Sequence, residues 1–209
     1  MAGKITALKY QKKNRDRASV FIEGRFAFGI PAIVVASLRQ GQFLSDAEIE
    51  SLQEKGSTET AYGRILNYLS YRPRSRAELV GYLEKRGLSE AQIEAIIGRL
   101  ERAGLLDDEA FAQYWIENRE RFRPRGARAL RYELRTKGIA DALIDQALAP
   151  VDASASAHRA ASRRAQQLSH LDQPTFKRKL VEYLARRGFD YGVAQETAER
   201  HWEDLMTGD

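Results

Sequence analysis

Three arginines, Arg128, Arg131 and Arg135, recur at i, i+3 and i+7 in this 209-residue chain. At about 100° per residue, that spacing lays them along one face of a helix, apart from Leu130 and Leu134. A guanidinium presents a planar fork of donors that matches carboxylate and phosphate oxygens, so the stripe suits an anionic partner. The surrounding stretch, Arg119–Ile139, holds eight basic residues against Glu120 and Glu133, a local charge of +6. Arg121, Arg123 and Arg125 carry the basic run across a Pro-bearing turn, and Lys137 closes it. Arg72 and Arg74 flank the related turn 51 positions earlier, so they join the same expected patch. A secondary basic patch lies further on, comprising Arg163, Arg164, Lys177, Arg178, Lys179, Arg186 and Arg187, with Arg159 beside it.

Catalytic patterns are not found. The chain has neither a Gly-x-x-x-x-Gly-Lys-Ser/Thr phosphate loop nor a Gly-x-Gly-x-x-Gly turn. Its three histidines, His158, His170 and His201, share no metal-ligand spacing with one another or with a carboxylate, so no metal and no cofactor are expected. The densest acidic cluster, Asp107-Asp108-Glu109, reads as an N-cap with first-turn acids that complement a helix dipole. Trp115 and Trp202 sit at core spacing on amphipathic segments and read as core anchors.

The remaining composition bounds the class. Hydrophobic residues make up 43% and charged residues 30%, enough to bury a core. A net charge of +5 favours polyanions or acidic protein surfaces. Cysteine is absent, which excludes disulfides and thiolate zinc sites and suits a reducing compartment. The longest apolar run, Ile30–Leu38, is too short to span a bilayer, and no secretory leader is read at the N-terminus. A soluble, cytoplasmic monomer with no membrane partner is expected.

The elements that must position the arginines follow from periodicity. Residues 1–57 read as a small α+β module. Ile5–Tyr10 and Ser19–Phe28, with a turn at Glu23-Gly24, predict three short strands separated by the polar run Lys12–Arg17. Pro31–Arg39 predicts a helix, and a capping box at Ser45-Asp-Ala-Glu48 opens another that Gly56 closes. From Thr58 onward the pattern is helical and repeats at about fifty residues. Tyr71-Arg-Pro-Arg-Ser75 precedes Phe122-Arg-Pro-Arg-Gly126 by 51 positions, and Pro174 follows Pro124 by 50. Gly87, Gly138 and Gly188 keep the same two spacings as helix stops. The fold expected is mainly α: three tandem three-helix repeats in an elongated array, at residues 58–106, 107–151 and 152–209, behind the α+β module.

The repeat tests the stripe. Its equivalents are Ala77, Val80 and Glu84 in the first unit and Arg178, Val181 and Ala185 in the third, so this fold position does not require arginine. The stripe is specific to the middle unit and is expected to face solvent, where reversing it would leave the fold nearly intact. Ala77–Arg102 also reads as helix, Gly turn, helix, but the third helices expose Glu90, Glu94 and Glu101, then Asp141 and Asp145. Such faces are too acidic to read a major groove.

Ser75-Arg-Ala-Glu-Leu79, Leu83-Glu-Lys-Arg-Gly87, Gly104-Leu-Leu-Asp-Asp-Glu-Ala-Phe111-Ala, Gly126 and Leu134-Arg-Thr-Lys-Gly138-Ile139 together resemble the RecX family of RecA regulators. The resemblance covers about Ala61–Leu205 and is strongest in the first two units. It implies a non-catalytic protein that binds in the groove of the RecA–single-stranded-DNA filament, inhibits recombinase and ATPase activity, and limits filament growth. It also implies DNA binding, with double-stranded DNA as a further ligand. The competing expectation is a non-specific DNA-binding protein that acts by competing for the strand.

Overall fold

The structure, a computed structural model, describes residues 2–12 and 14–207. Four antiparallel strands come first: β1 (Gly3–Gln11), β2 (Asn14–Ile22), β3 (Arg25–Pro31) and β4 (Phe43–Leu44), in sheet order β3-β2-β1-β4. Alternation sets one face inward, and Ile5, Val20, Ile22, Phe28, Ile30 and Leu44 form its core. The Glu23-Gly24 turn forms as expected, with φ of 47° and 79°, the handedness that fits strand twist. The strands are longer than the apolar pattern indicates, and most of the polar run belongs to β2; Lys13 lies outside the described residues. The two-residue β4 is too short to leave a periodic signal.

Two helix expectations are corrected. The helix expected over Pro31–Arg39 is only α1 (Ala32–Val35), with Pro31 still in β3. Ile33, Val34 and Val35 are consecutive β-branched residues, stiff at χ1 and poor at extending a helix. The second correction is larger. Ser45 and Glu48 form the expected capping box, but α2 (Asp46–Leu69) runs straight through Gly56. This glycine is a slot rather than a stop. It is buried, and a Cβ added there would lie 2.6 Å from Ile30 Cγ2 of the sheet. Alanine in an open helix position gains about 1 kcal/mol over glycine. Here Gly56→Ala is expected to lose about 1–3 kcal/mol by overpacking instead. Urea denaturation reads the sign directly.

Helices make up the rest. They are α3 (Arg76–Glu84), α4 (Glu90–Arg102), α5 (Asp108–Phe122), α6 (Ala127–Thr136) and α7 (Asp141–Leu148), then α8 (Ala153–Leu168), α9 (Gln173–Arg186) and α10 (Tyr191–Thr207). The chain divides into two compact units, Met1–Arg72 with Leu79–Leu105, and Pro73–Glu78 with Leu106–Asp209. In the first, α4 buries Ile93, Ile96, Ile97 and Leu100. Its Arg99 pairs with Glu59 and lies over the Tyr62 ring. In the second, Phe111, Ile116, Leu130, Leu134 and Ile144 form one core. Phe176, Leu180, Leu184 and the alanines of α8 form another. Ala157, Ala161 and Ala165 are small enough to let neighbouring helices approach closely.

One junction occurs twice in the second unit. Ser75, the residue before α3, donates its hydroxyl to the Lys137 carbonyl at the end of α6, at 2.7 Å. Gly126, the equivalent residue before α6, donates its N–H to the Arg187 carbonyl at the end of α9, at 3.0 Å. The helix stops lie against the same starts: Gly138 against Ala77, and Gly188 against Ala129. Both glycines have positive φ, 77° and 88°, so their stop geometry and their lack of a side chain are used together. Each junction points a helix start at a helix end, which aligns the two dipoles favourably.

Candidate functional site

The Gly126 junction brings together arginines that the sequence assigned to different patches. Arg128, in the first turn of α6, donates to the Ala185 carbonyl in the last turn of α9 at 2.9 Å. Arg187 reaches back to the Pro124 carbonyl at 3.4 Å. The Arg123–Arg125 turn and the Arg186–Arg187 end of α9 are therefore one basic seam. Arg121, Arg123 and Arg186 are exposed there and have no ion-pair partner among the described residues. Phe122, at 65% exposure, lies between Arg121 and Arg123 in the chain, with Arg121 over its ring. Arg–aromatic surfaces of this kind suit phosphates and unstacked bases.

The stripe is not the free basic face that periodicity suggests. Arg135 forms a bidentate pair with Asp141, at 2.7 and 3.1 Å, and Arg131 pairs with Asp145 at 2.6 Å. The acidic face of α7 and the basic face of α6, read separately in the sequence, are partners across the Gly138 turn. The hydrogen bond from Arg135 lowers the pKa of Asp141, and the same bond raises that of Arg135. These pairs are largely exposed, and such pairs contribute little stability each. Their effect here is on charge: two of the stripe's three cations face an anion of their own domain, and Arg128 serves a helix end.

The other expected residues are spread more widely. Arg125 shares Glu133 with Arg119, at 2.9 and 2.8 Å, and Trp115 Nε1 donates to the same carboxylate. Lys137 pairs with Glu78 at 2.7 Å, Arg74 is half-buried, and Arg72 belongs to the first unit. In the secondary patch, Lys177 pairs with Glu199 and Arg178 with Glu182, and Arg164 donates to Gln167 at 3.2 Å. Arg163 on α8 is exposed, and Lys179 on α9 half-buried; neither has an ion-pair partner among the described residues. Asp107 caps α5, accepting from the Glu109 and Ala110 N–H groups at 2.9 and 3.0 Å. Trp115 and Trp202 pack on Phe111 and Phe176.

The expectation about histidines is corrected. His158 on α8 and His201 and Asp204 on α10 place one ligand atom each within 4.8 Å of one another. The i, i+3 spacing of His201 and Asp204 was readable in the sequence; the packing of α8 on α10 supplies the third member. Among the described residues, no helix is long and apolar enough to cross a membrane.

Comparison with known proteins places this architecture. Four family models match in order: the regulatory protein RecX N-terminal domain at residues 3–44, and the first, second and third three-helix domains of RecX at 61–100, 107–148 and 152–198. The regulatory protein RecX of Bacillus licheniformis is 30% identical over 194 residues, spanning 90% of this chain and 74% of its own. That of Prosthecochloris aestuarii is 38% identical over 142 residues, 68% of this chain and 93% of its own. A crystal structure of regulatory protein RecX aligns with a TM-score of 0.75 at 25% identity, covering 95% of this chain and all of the other. The RecX structure from Lactobacillus salivarius aligns at 0.62 and 25%, over 70% and 96%. The sheet module, the three three-helix domains in sequence and relatives at this level agree: the chain belongs to the regulatory protein RecX family.

Proposed function

We propose that this protein is a non-catalytic regulator of the RecA filament. It binds the RecA–single-stranded-DNA filament, inhibits recombinase and ATPase activity, and limits filament growth. The observation that supports this reading best is the seam at Gly126, which joins the turn after exposed Arg121, Phe122 and Arg123 to the end of α9, where Arg186 is also exposed. Their unneutralised charge suits an acidic protein groove lined by DNA phosphates, and an aromatic among cations suits a surface where protein and nucleic acid meet. Double-stranded DNA is a weaker ligand of the same face, held through its phosphates without sequence preference.

A titration tests the reading. RecA-catalysed ATP hydrolysis is measured on single-stranded DNA with increasing amounts of this protein, and again with excess competitor DNA. Inhibition is expected at concentrations too low to coat the strand, and it should survive the competitor. Inhibition that appears only at coating concentrations and disappears with competitor would mean simple competition for the strand.

A further inference from the structure

Three side chains that the basic seam does not use meet between α8 and α10. His158 and His201 stack with ring centroids 4.1 Å apart and planes 14° from parallel. His158 Nε2 lies 3.8 Å from Asp204 Oδ2. His201 Nε2 stands 3.3 Å from the His158 carbonyl oxygen. A carbonyl only accepts, so this nitrogen carries the hydrogen and Nδ1 keeps the lone pair. Metal-binding histidines are commonly fixed in one tautomer by an outer carbonyl in this way.

We propose that His158, His201 and Asp204 form a site for one divalent ion of the zinc class, which clips α8 to α10. Two imidazoles and one carboxylate match the ligand set of an open four-coordinate site, with water in the last position. Imidazole nitrogens favour zinc, nickel or copper over magnesium or calcium. Ligands bonded at about 2.0–2.2 Å stand about 3.3–3.5 Å apart around a tetrahedral ion. The present separations, all within 4.8 Å, require the cluster to tighten by roughly 1 Å. Parallel rings hold their lone pairs side by side, so one ring must also rotate. His158 and Asp204 have the room, with side chains 41% and 47% exposed. The buried His201 is the fixed member.

The test is calorimetric titration of the full chain with Zn²⁺, with Co²⁺ as a spectroscopic substitute. One site is expected, together with a rise in Tm on zinc addition and the strong visible bands of tetrahedral Co²⁺. His158→Ala and Asp204→Asn alter partly exposed positions, so the metal-free Tm should hold. Each should weaken zinc binding by more than the ~10–100-fold that an outer-shell change costs. His170→Ala should change nothing. Absence of zinc uptake, uptake unaltered by either ligand change, or the weak spectrum of hydrated Co²⁺ would each overturn the proposal.

Discussion

Gly126→Ala is expected to cost the second unit roughly 3 kcal/mol, at the upper end of what overpacking does. The added Cβ would overlap the Gly188 carbonyl and the Phe189 nitrogen, which are backbone atoms with no rotamer to change. The N–H of Gly126 is meanwhile tied to the Arg187 carbonyl, so moving the start of α6 aside breaks that bond too. Gly126→Ser is expected to fare no better, although serine is the natural residue at the equivalent Ser75. There is space for a side chain at the first junction and none at the second. Gly192→Ala is the control. It adds a Cβ in open space near the start of α10 and should be neutral or stabilising by up to about 1 kcal/mol. Urea midpoints for the three variants, compared with the parent, decide the matter. A Gly126→Ala protein as stable as the parent would mean the α6–α9 junction is looser than described.

Replacing Arg121, Arg123 and Arg186 together with glutamine is expected to weaken inhibition of RecA about tenfold at unchanged Tm. Each is exposed, and an exposed charge contact contributes about 0.5 kcal/mol; three give about 1.5 kcal/mol, or one order of magnitude. On single-stranded DNA alone, the slope of log K against log salt should fall by about 0.7 for each cation that contacts a phosphate. The stripe should behave differently. Reversing Arg131 and Arg135 to aspartate puts like charges against Asp145 and Asp141, so Tm should drop. Adding Asp145→Arg and Asp141→Arg restores both pairs and should restore Tm. If the swapped protein inhibits as well as the parent while the glutamine triple does not, the seam is the working surface and the stripe is internal. The opposite pattern returns the role to the stripe.

The local signals in the sequence were sufficient for most of the helical part. Gly87, Gly104, Gly138 and Gly188 all lie in the left-handed region where helix periodicity ends, because a helix stop is decided by a few neighbouring residues. Gly56 shows the limit of that logic. The same residue type serves a close approach to Ile30, and nothing within its own helix distinguishes the two uses. The pairing of the stripe shows a related limit. Periodicity correctly separates Arg131 and Arg135 from the leucines, but it does not say which helix supplies their partners. That helix is α7, whose Asp141 and Asp145 form an acidic face in the sequence without showing that they face α6. The seam itself required the fold, since Pro124 and Arg187 are remote in sequence and meet only where α9 ends on the start of α6.

The recurring junction is a heterologous contact, start to end, and such a contact has no intrinsic reason to stop at three modules. The chain stops it at both termini of the series. At one, Gly87 closes α3 and, among the described residues, nothing stands where a Cβ would project, the position that Ala77 and Ala129 occupy against Gly138 and Gly188. At the other, α9 begins one turn earlier than the repeat requires. Asp172 caps that turn by accepting from the Thr175 N–H at 3.2 Å, and Phe176 turns into the module's own core. That extra turn has no counterpart at the starts of α3 and α6. The contact that joins the modules to one another is thus altered at both outer ends of the series.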